Sequence, residues 1–161
     1  MHYQAAVITV SDRASAGVYE DKSGPAVTQI LKEAGYDVVH TSIVPDEKAQ
    51  ISAELIRCAD EKHCDLIITS GGTGLSPRDV TPEATRAVCD RDVPGIAEAI
   101  RAYSMTKTRR AMLSRAICMQ RGHTLVVNFP GSTKAARESW EAIADQLEHA
   151  AQMTAGGGHT N

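Results

Sequence analysis

A chain of 161 residues with 42% hydrophobic content is long enough to close one domain around its own core, and none of its apolar runs approaches bilayer-spanning length. A formal charge of −3 argues against the basic footprint of a general nucleic-acid binder. Cys58, Cys64, Cys89 and Cys118 are scattered without CxxC pairing, which argues against a structural zinc site or a disulfide framework and fits a reducing cytoplasm.

Aromatic residues make up only 4% of the chain, so the core must come from Ala, Val, Ile and Leu. The opening Met1-His2-Tyr3-Gln4 reads as no signal peptide and leads into Ala5–Val10, a compact apolar run expected to be a buried strand. Ser23-Gly24-Pro25 starts a helix with proline in its first turn, Ala26, Ile30 and Leu31 form its apolar stripe, and Gly35 stops it. Asp37–Val44 is the second expected strand. Asp46 is placed to N-cap the next helix, in which Ile51, Leu55 and Ile56 recur at helical spacing. Asp65–Ser70 is a third strand, and Thr81-Pro82-Glu83 carries a cap, a first-turn proline and a first-turn acid in order. Pro94 opens a helix bearing Ile96, Ile100 and Tyr103, and the polar, basic Met105–Arg110 reads as a loop. Ala116–Gln120 and Thr124–Phe129 are read as strands, and Ser132 caps a long helix with Ala136, Trp140, Ile143 and Leu147 on one face. There is no internal repeat. Residues 1–152 read as one domain, with 153–161 a flexible tail that has nothing to bury.

Strands alternating with helices predict a mainly parallel sheet covered on both faces. Such sheets bind ligands beyond the carboxyl ends of their strands. Ser11-Asp12-Arg13, Pro45-Asp46-Glu47, Ser70-Gly71-Gly72-Thr73-Gly74 and Pro130-Gly131-Ser132 each follow a strand, so parallel strands would gather all four loops on one rim.

Those loops suit phosphate. Glycines let backbone amides approach a ligand closely, and helix N-termini add partial positive charge. The run GGTG is neither a Walker loop nor the dinucleotide fingerprint, whose third glycine would fall on Pro77. Its plainer reading is a tight loop requiring positive φ. Asp46 and Asp79 read either as caps or turn residues, or as a pair holding Mg²⁺ against a polyphosphate, with Asp12 a third candidate. Arg13, Arg78, Arg115 and Lys134 read as solvated charges or as neutralisers of an anionic substrate. Lys107–Arg110 reads equally as a solvated loop or a phosphate clamp. His40 and His63 lack metal spacing and read as structural. No Ser/His/Asp or Cys/His set for nucleophilic catalysis stands out.

The segments SDRASAGVYEDKSGP, VPDE, SGGTGLSPRDVTPEAT, LSR and NFPGSTKAARE together resemble the molybdenum-cofactor biosynthesis family, which includes the bacterial MoaB and Mog proteins and the gephyrin G domain. The resemblance covers residues 4–150 and implies a three-layer α/β/α sandwich and a homotrimer or homohexamer. It implies adenylylation of molybdopterin, whose phosphate attacks the α-phosphorus of ATP and releases pyrophosphate. It assigns Asp46 and Asp79 as the essential acids that organise Mg²⁺ and the reacting phosphates. Ser11, Asp12, Arg13, Ser70, Gly71, Gly72, Thr73 and Gly74 would line the nucleotide and pterin site. Pro130, Gly131 and Ser132 would close it, with Ser114 and Lys134 nearby. Its implied partners are molybdopterin, ATP and a molybdate-insertion protein, with neither nucleic acid nor membrane among them. The alternatives are a non-catalytic molybdopterin-binding or scaffold protein and, more weakly, a generic nucleotide binder. Retention of both acids favours the enzyme.

Overall fold

The computed structural model describes residues 2–156. Of the expected tail, Met153 and Thr154 complete the last helix, and 157–161 lie outside the described residues.

Four strands run parallel: β1 (Gln4–Val10), β2 (Asp37–Val44), β3 (Leu66–Ser70) and β6 (Thr124–Phe129). Two short strands extend the sheet, β5 (Cys118–Arg121) antiparallel to β6 and β4 (Arg91–Asp92) antiparallel to β5, in the order β2-β1-β3-β6-β5-β4. Parallel neighbours require crossovers, and helices supply them. Between β1 and β2 lie α1 (Asp12–Ser15) and α2 (Ser23–Glu33). Between β2 and β3 lies α3 (Lys48–Ile56), continued by a π-helical turn at Arg57–Glu61. The long path from β3 to β6 holds α4 (Thr81–Val88), β4, α5 (Pro94–Met105), a 3₁₀ turn at Arg109–Leu113 and β5. Helix α6 (Thr133–Thr154) closes the fold.

The inner parallel strands β1, β3 and β6 are buried on both sides, and two separate cores result, whereas the edge strand β2 alternates exposed and half-buried residues. On one face, Val7, Ile68, Val127 and Phe129 meet Leu31 of α2, Ile100 of α5, and Ile143 and Leu147 of α6. On the other, Ile8, Ile67 and Val126 meet Ile51 and Leu55 of α3 and Ala84 of α4. Helices therefore cover both faces of the sheet, giving the three-layer α/β/α sandwich.

Local corrections have physical causes. Helix α2 buries Val27 and Leu31, whereas Ala26 and Ile30 are only half-buried. Asp46 does not cap α3: Glu47 holds the cap position, without a side-chain cap bond, and the Asp46 carboxylate turns to another loop. Thr81 is the first helical residue of α4 rather than its cap, and its hydroxyl donates to the Gly71 carbonyl at 2.9 Å. The unexpected α1 and β4 are too short to show a period.

Behind the glycine loop lies a buried polar cluster. Asn128 donates through Nδ2 to Thr69 Oγ1 at 3.0 Å and Thr85 Oγ1 at 3.1 Å, and its Oδ1 accepts from the Ile117 amide at 3.2 Å. All three polar side chains are fully buried. Asn128→Ala strips each of these groups of a partner and is expected to cost about 2–3 kcal/mol of unfolding free energy. Urea denaturation measures it.

Candidate active site

The strand register builds the rim. Val10 pairs with Val44, Thr9 with Ser70, and Ser70 with Phe129, so the carboxyl ends of four strands finish level. The loops that follow enclose a cleft of about 610 Å³. Ser11, Asp12, Arg13, Asp46, Ser70, Gly71, Gly72, Thr73, Gly74, Asp79, Gly131 and Ser132 all line it, as does Arg78. Pro130, Ser114, Lys134 and Arg115 do not. Pro130 instead accepts from Ser70 Oγ at 3.0 Å, the Ser114 hydroxyl accepts from the Ala116 amide at 3.2 Å, and Lys134 is exposed on the first turn of α6. None of Lys107–Arg110 lines the cleft; Lys107 lies over the Tyr103 ring.

Sequence reasoning missed Thr9, Tyr19, Asp21 and Ser23 in the lining. Asp21 accepts from Thr9 Oγ1 at 2.8 Å and from the Gly24 amide at 3.0 Å, which fixes the entry to α2. An acid three residues before a helix-opening glycine is a capping signal that could have revealed it.

Why the loop is glycine follows from its surroundings. Gly71 has φ +110°, and a β-carbon there would collide with the Val10 carbonyl. Gly72 has φ +70°; its β-carbon would strike the Thr81 hydroxyl and sit 3.2 Å from Asp46 Oδ1. A β-carbon on Gly74 would lie 3.0 Å from Asp79 Oδ2. Both acids thus press against the same short loop. Among the described residues, the amides of Gly72, Thr73, Gly74 and Leu75 donate to no protein acceptor. Successive unpaired amides on a loop with positive φ make a concavity that attracts anions.

The carboxylates are held unequally. Asp12 and Asp46 clasp each other's backbone: the Asp12 amide donates to Asp46 Oδ2 and the Asp46 amide to Asp12 Oδ1, each at 2.9 Å. Arg78 grips both oxygens of Asp12 at 3.0 Å and reaches Glu47 at 3.0 Å, tying three loops together. The hydrogen bonds from Arg78 hold the Asp12 carboxyl below the usual carboxylate range. Asp46 goes the other way. Partial burial pushes it up, and the charges of Asp12 and Asp79 add to the push against the bond from the Asp12 amide. Asp79 closes its own turn, its amide donating to the Ser76 carbonyl and its Oδ2 accepting from the Ser76 amide.

Both oxygens of Asp12 are engaged, whereas Oδ1 of Asp46 and Oδ1 of Asp79 accept no hydrogen bond among the described residues. No group of three or more His, Cys, Asp or Glu side chains there could hold a metal alone. A divalent cation would bind Asp46 and Asp79 and take its remaining ligands from substrate or water, a donor set that fits magnesium.

Residues 6–149 match the family described as "Probable molybdopterin binding domain". Over 152 residues, 93% of this chain and 86% of the relative, the chain is 41% identical to the Helicobacter pylori strain J99 protein named molybdopterin adenylyltransferase. It is 42% identical over 141 residues, 86% of this chain and 72% of the relative, to the Escherichia coli K12 protein of the same name. The crystal structure of the molybdopterin biosynthesis enzyme MoaB from Thermus thermophilus superposes with a TM-score of 0.90 at 44% identity, covering 96% of this chain and 97% of that one. A shared fold, near-complete coverage and these identities lead to one conclusion: the chain belongs to the molybdopterin-binding-domain family of the MoaB and Mog proteins.

Proposed function

We infer that this chain is a molybdopterin adenylyltransferase, a nucleotidyltransferase of molybdenum cofactor biosynthesis that joins the AMP portion of ATP to molybdopterin and releases pyrophosphate. Curated relatives at 41–43% identity over most of the chain carry that name. One structural observation supports the chemistry above all others: unpaired loop amides and two carboxylates with open oxygens share one cleft.

The reaction asks a protein for positioning and charge control. The molybdopterin phosphate is ionised at neutral pH and needs no strong general base to attack the α-phosphorus. The amides of Gly72, Thr73 and Gly74 bind the triphosphate oxygens and orient them. Arg78 braces the loops bearing Asp12, Glu47 and Asp79, so that Asp46 and Asp79 keep their spacing. Asp46 and Asp79 are the residues that would hold Mg²⁺, which, when bound, supplies charge neutralisation for the phosphates. The same reading carries a cytoplasmic homotrimer or homohexamer that passes its product to a molybdate-insertion protein. Light scattering reads the copy number. No helix among the described residues is long and apolar enough to cross a membrane.

Incubation of the protein with molybdopterin, ATP and Mg²⁺ should give adenylylated molybdopterin and pyrophosphate. Tight pterin binding without pyrophosphate release would instead support a binding or scaffold protein. Asp79→Asn is expected to keep pterin affinity while turnover falls about 10²–10³-fold. Normal turnover by that variant would remove Asp79 from this role.

A further inference from the structure

We propose that Arg115 is a positioning residue that sets the peptide planes of the anion-binding loop from behind, without touching substrate. Its backbone amide donates to the Thr73 carbonyl at 2.8 Å. Its Nε donates to the Gly74 carbonyl at 2.8 Å and its Nη2 to the Asp79 carbonyl at 2.7 Å. One side chain therefore joins both ends of the Gly74–Asp79 segment. Nη1 and Nη2 also meet the two oxygens of Glu83, at 2.6 and 3.3 Å, which anchors the guanidinium to the first turn of α4.

The consequence comes from peptide geometry. The described residues contain no cis peptide, and in a trans peptide the C=O and N–H point in opposite directions. With the Thr73 and Gly74 carbonyls drawn toward Arg115, the amides of Gly74 and Leu75 face away from it. These are two of the four amides that lack a protein acceptor. Glycines at 71, 72 and 74 leave this loop with little resistance of its own to peptide flipping. Arg115 supplies that resistance.

The geometry also says what Arg115 does not do. It does not line the cleft, its charge is paired with Glu83, and four of the guanidinium's five donors point to protein acceptors. It brings no free positive charge to a substrate. A lysine would keep the charge but could not span carbonyls as a planar fork does.

Magnesium pyrophosphate reads the loop directly, by calorimetry on the full chain. Arg115→Ala and Arg115→Lys are each expected to bind it about tenfold more weakly than the unsubstituted protein. Millimolar guanidinium should restore the affinity of Arg115→Ala, whereas a mere loss of global stability would not be mended by it. Turnover should follow the same pattern of loss and rescue, a part of the test that rests on the adenylyltransferase reading. Unchanged pyrophosphate affinity in either variant overturns the proposal. So does a loss in Arg115→Ala that guanidinium leaves in place, or an unsubstituted protein that does not bind pyrophosphate. If affinity falls and is rescued while the unsubstituted protein never releases pyrophosphate from ATP, the positioning role stands and the adenylyltransferase reading fails.

Discussion

Asp46→Asn is expected to stabilise the unliganded protein and nearly abolish its activity. Partial burial and the neighbouring charges of Asp12 and Asp79 all disfavour the ionised Asp46. The sign follows from linkage. A carboxyl whose folded pKa lies above its unfolded value contributes stability below the unfolded pKa and loses that contribution as pH rises through the folded one. At neutral pH the charged Asp46 therefore works against the fold. Asparagine removes that charge, and its amide oxygen can still accept the 2.9 Å bond from the Asp12 amide. After allowance for solvent screening, the gain should not exceed about 1 kcal/mol. Turnover should fall about 10²–10³-fold, because one of the two anionic oxygens facing the cleft is lost. Thermal melts at neutral pH and in acid, alongside a pyrophosphate-release assay, check both halves. The melting advantage should shrink in acid, where Asp46 becomes protonated in the parent protein as well. Asp12 shifts oppositely: its contribution is present above its unfolded pKa and is lost as pH falls through the folded one. Both proteins share that acid-side loss, so it cancels in the comparison. A destabilised variant, or one with full activity, would contradict this account of the site.

Gly71→Ala should have the largest effect on the fold itself. The residue sits at φ +110°, a region closed to side chains, and its β-carbon would run into the carbonyl of Val10. That obstacle is main chain at the end of a central strand, and Val10 is 3% exposed, so nothing there can swing aside. The expected cost is about 3 kcal/mol or more, a large share of the ~5–15 kcal/mol that holds a typical domain folded. Gly35→Ala separates the two causes. Gly35 has φ +98° but no neighbour within 4 Å of a built β-carbon, so that variant carries strain without collision. Its cost should be about 1–2 kcal/mol. Equal losses in the two variants, measured by urea unfolding, would mean that the contact with Val10 contributes nothing.

The parallel strands were legible because β1, β3 and β6 are short apolar runs, β2 is rich in β-branched residues, and each is followed by a polar or glycine-rich loop. From that pattern alone the four loops could be expected on one rim, and the register aligns them there. Asp46 was misread as a cap because an aspartate just before a helix satisfies a local rule. Its actual partner lies 34 residues away, beyond the reach of any local rule. Arg115 reads from sequence as a solvated charge or a neutraliser of an anionic substrate for a related reason. Its acceptors are main-chain carbonyls 36 and 41 residues distant, and a sequence does not display where its carbonyls point. Ser114 rests on motif resemblance alone, Pro130 also on its place after a strand and Lys134 also on its charge, and in this chain all three stand outside the cleft lining. Tyr19 and Asp21 lie inside the segment SDRASAGVYEDKSGP, but neither residue type identifies itself as part of a wall.

The two flanks of the sheet are not alike. One ends in β4, two exposed residues bearing an arginine and an aspartate, and the other in β2, eight residues long with Val39 and Ile43 exposed. Charge and brevity blunt the first flank against pairing with another chain. Only the second can accept a neighbour's backbone, and two copies joined there would have used up their long edges. Fibre-like propagation by sheet extension is thereby disfavoured, because each pair so formed would present only its short, charged β4 flanks.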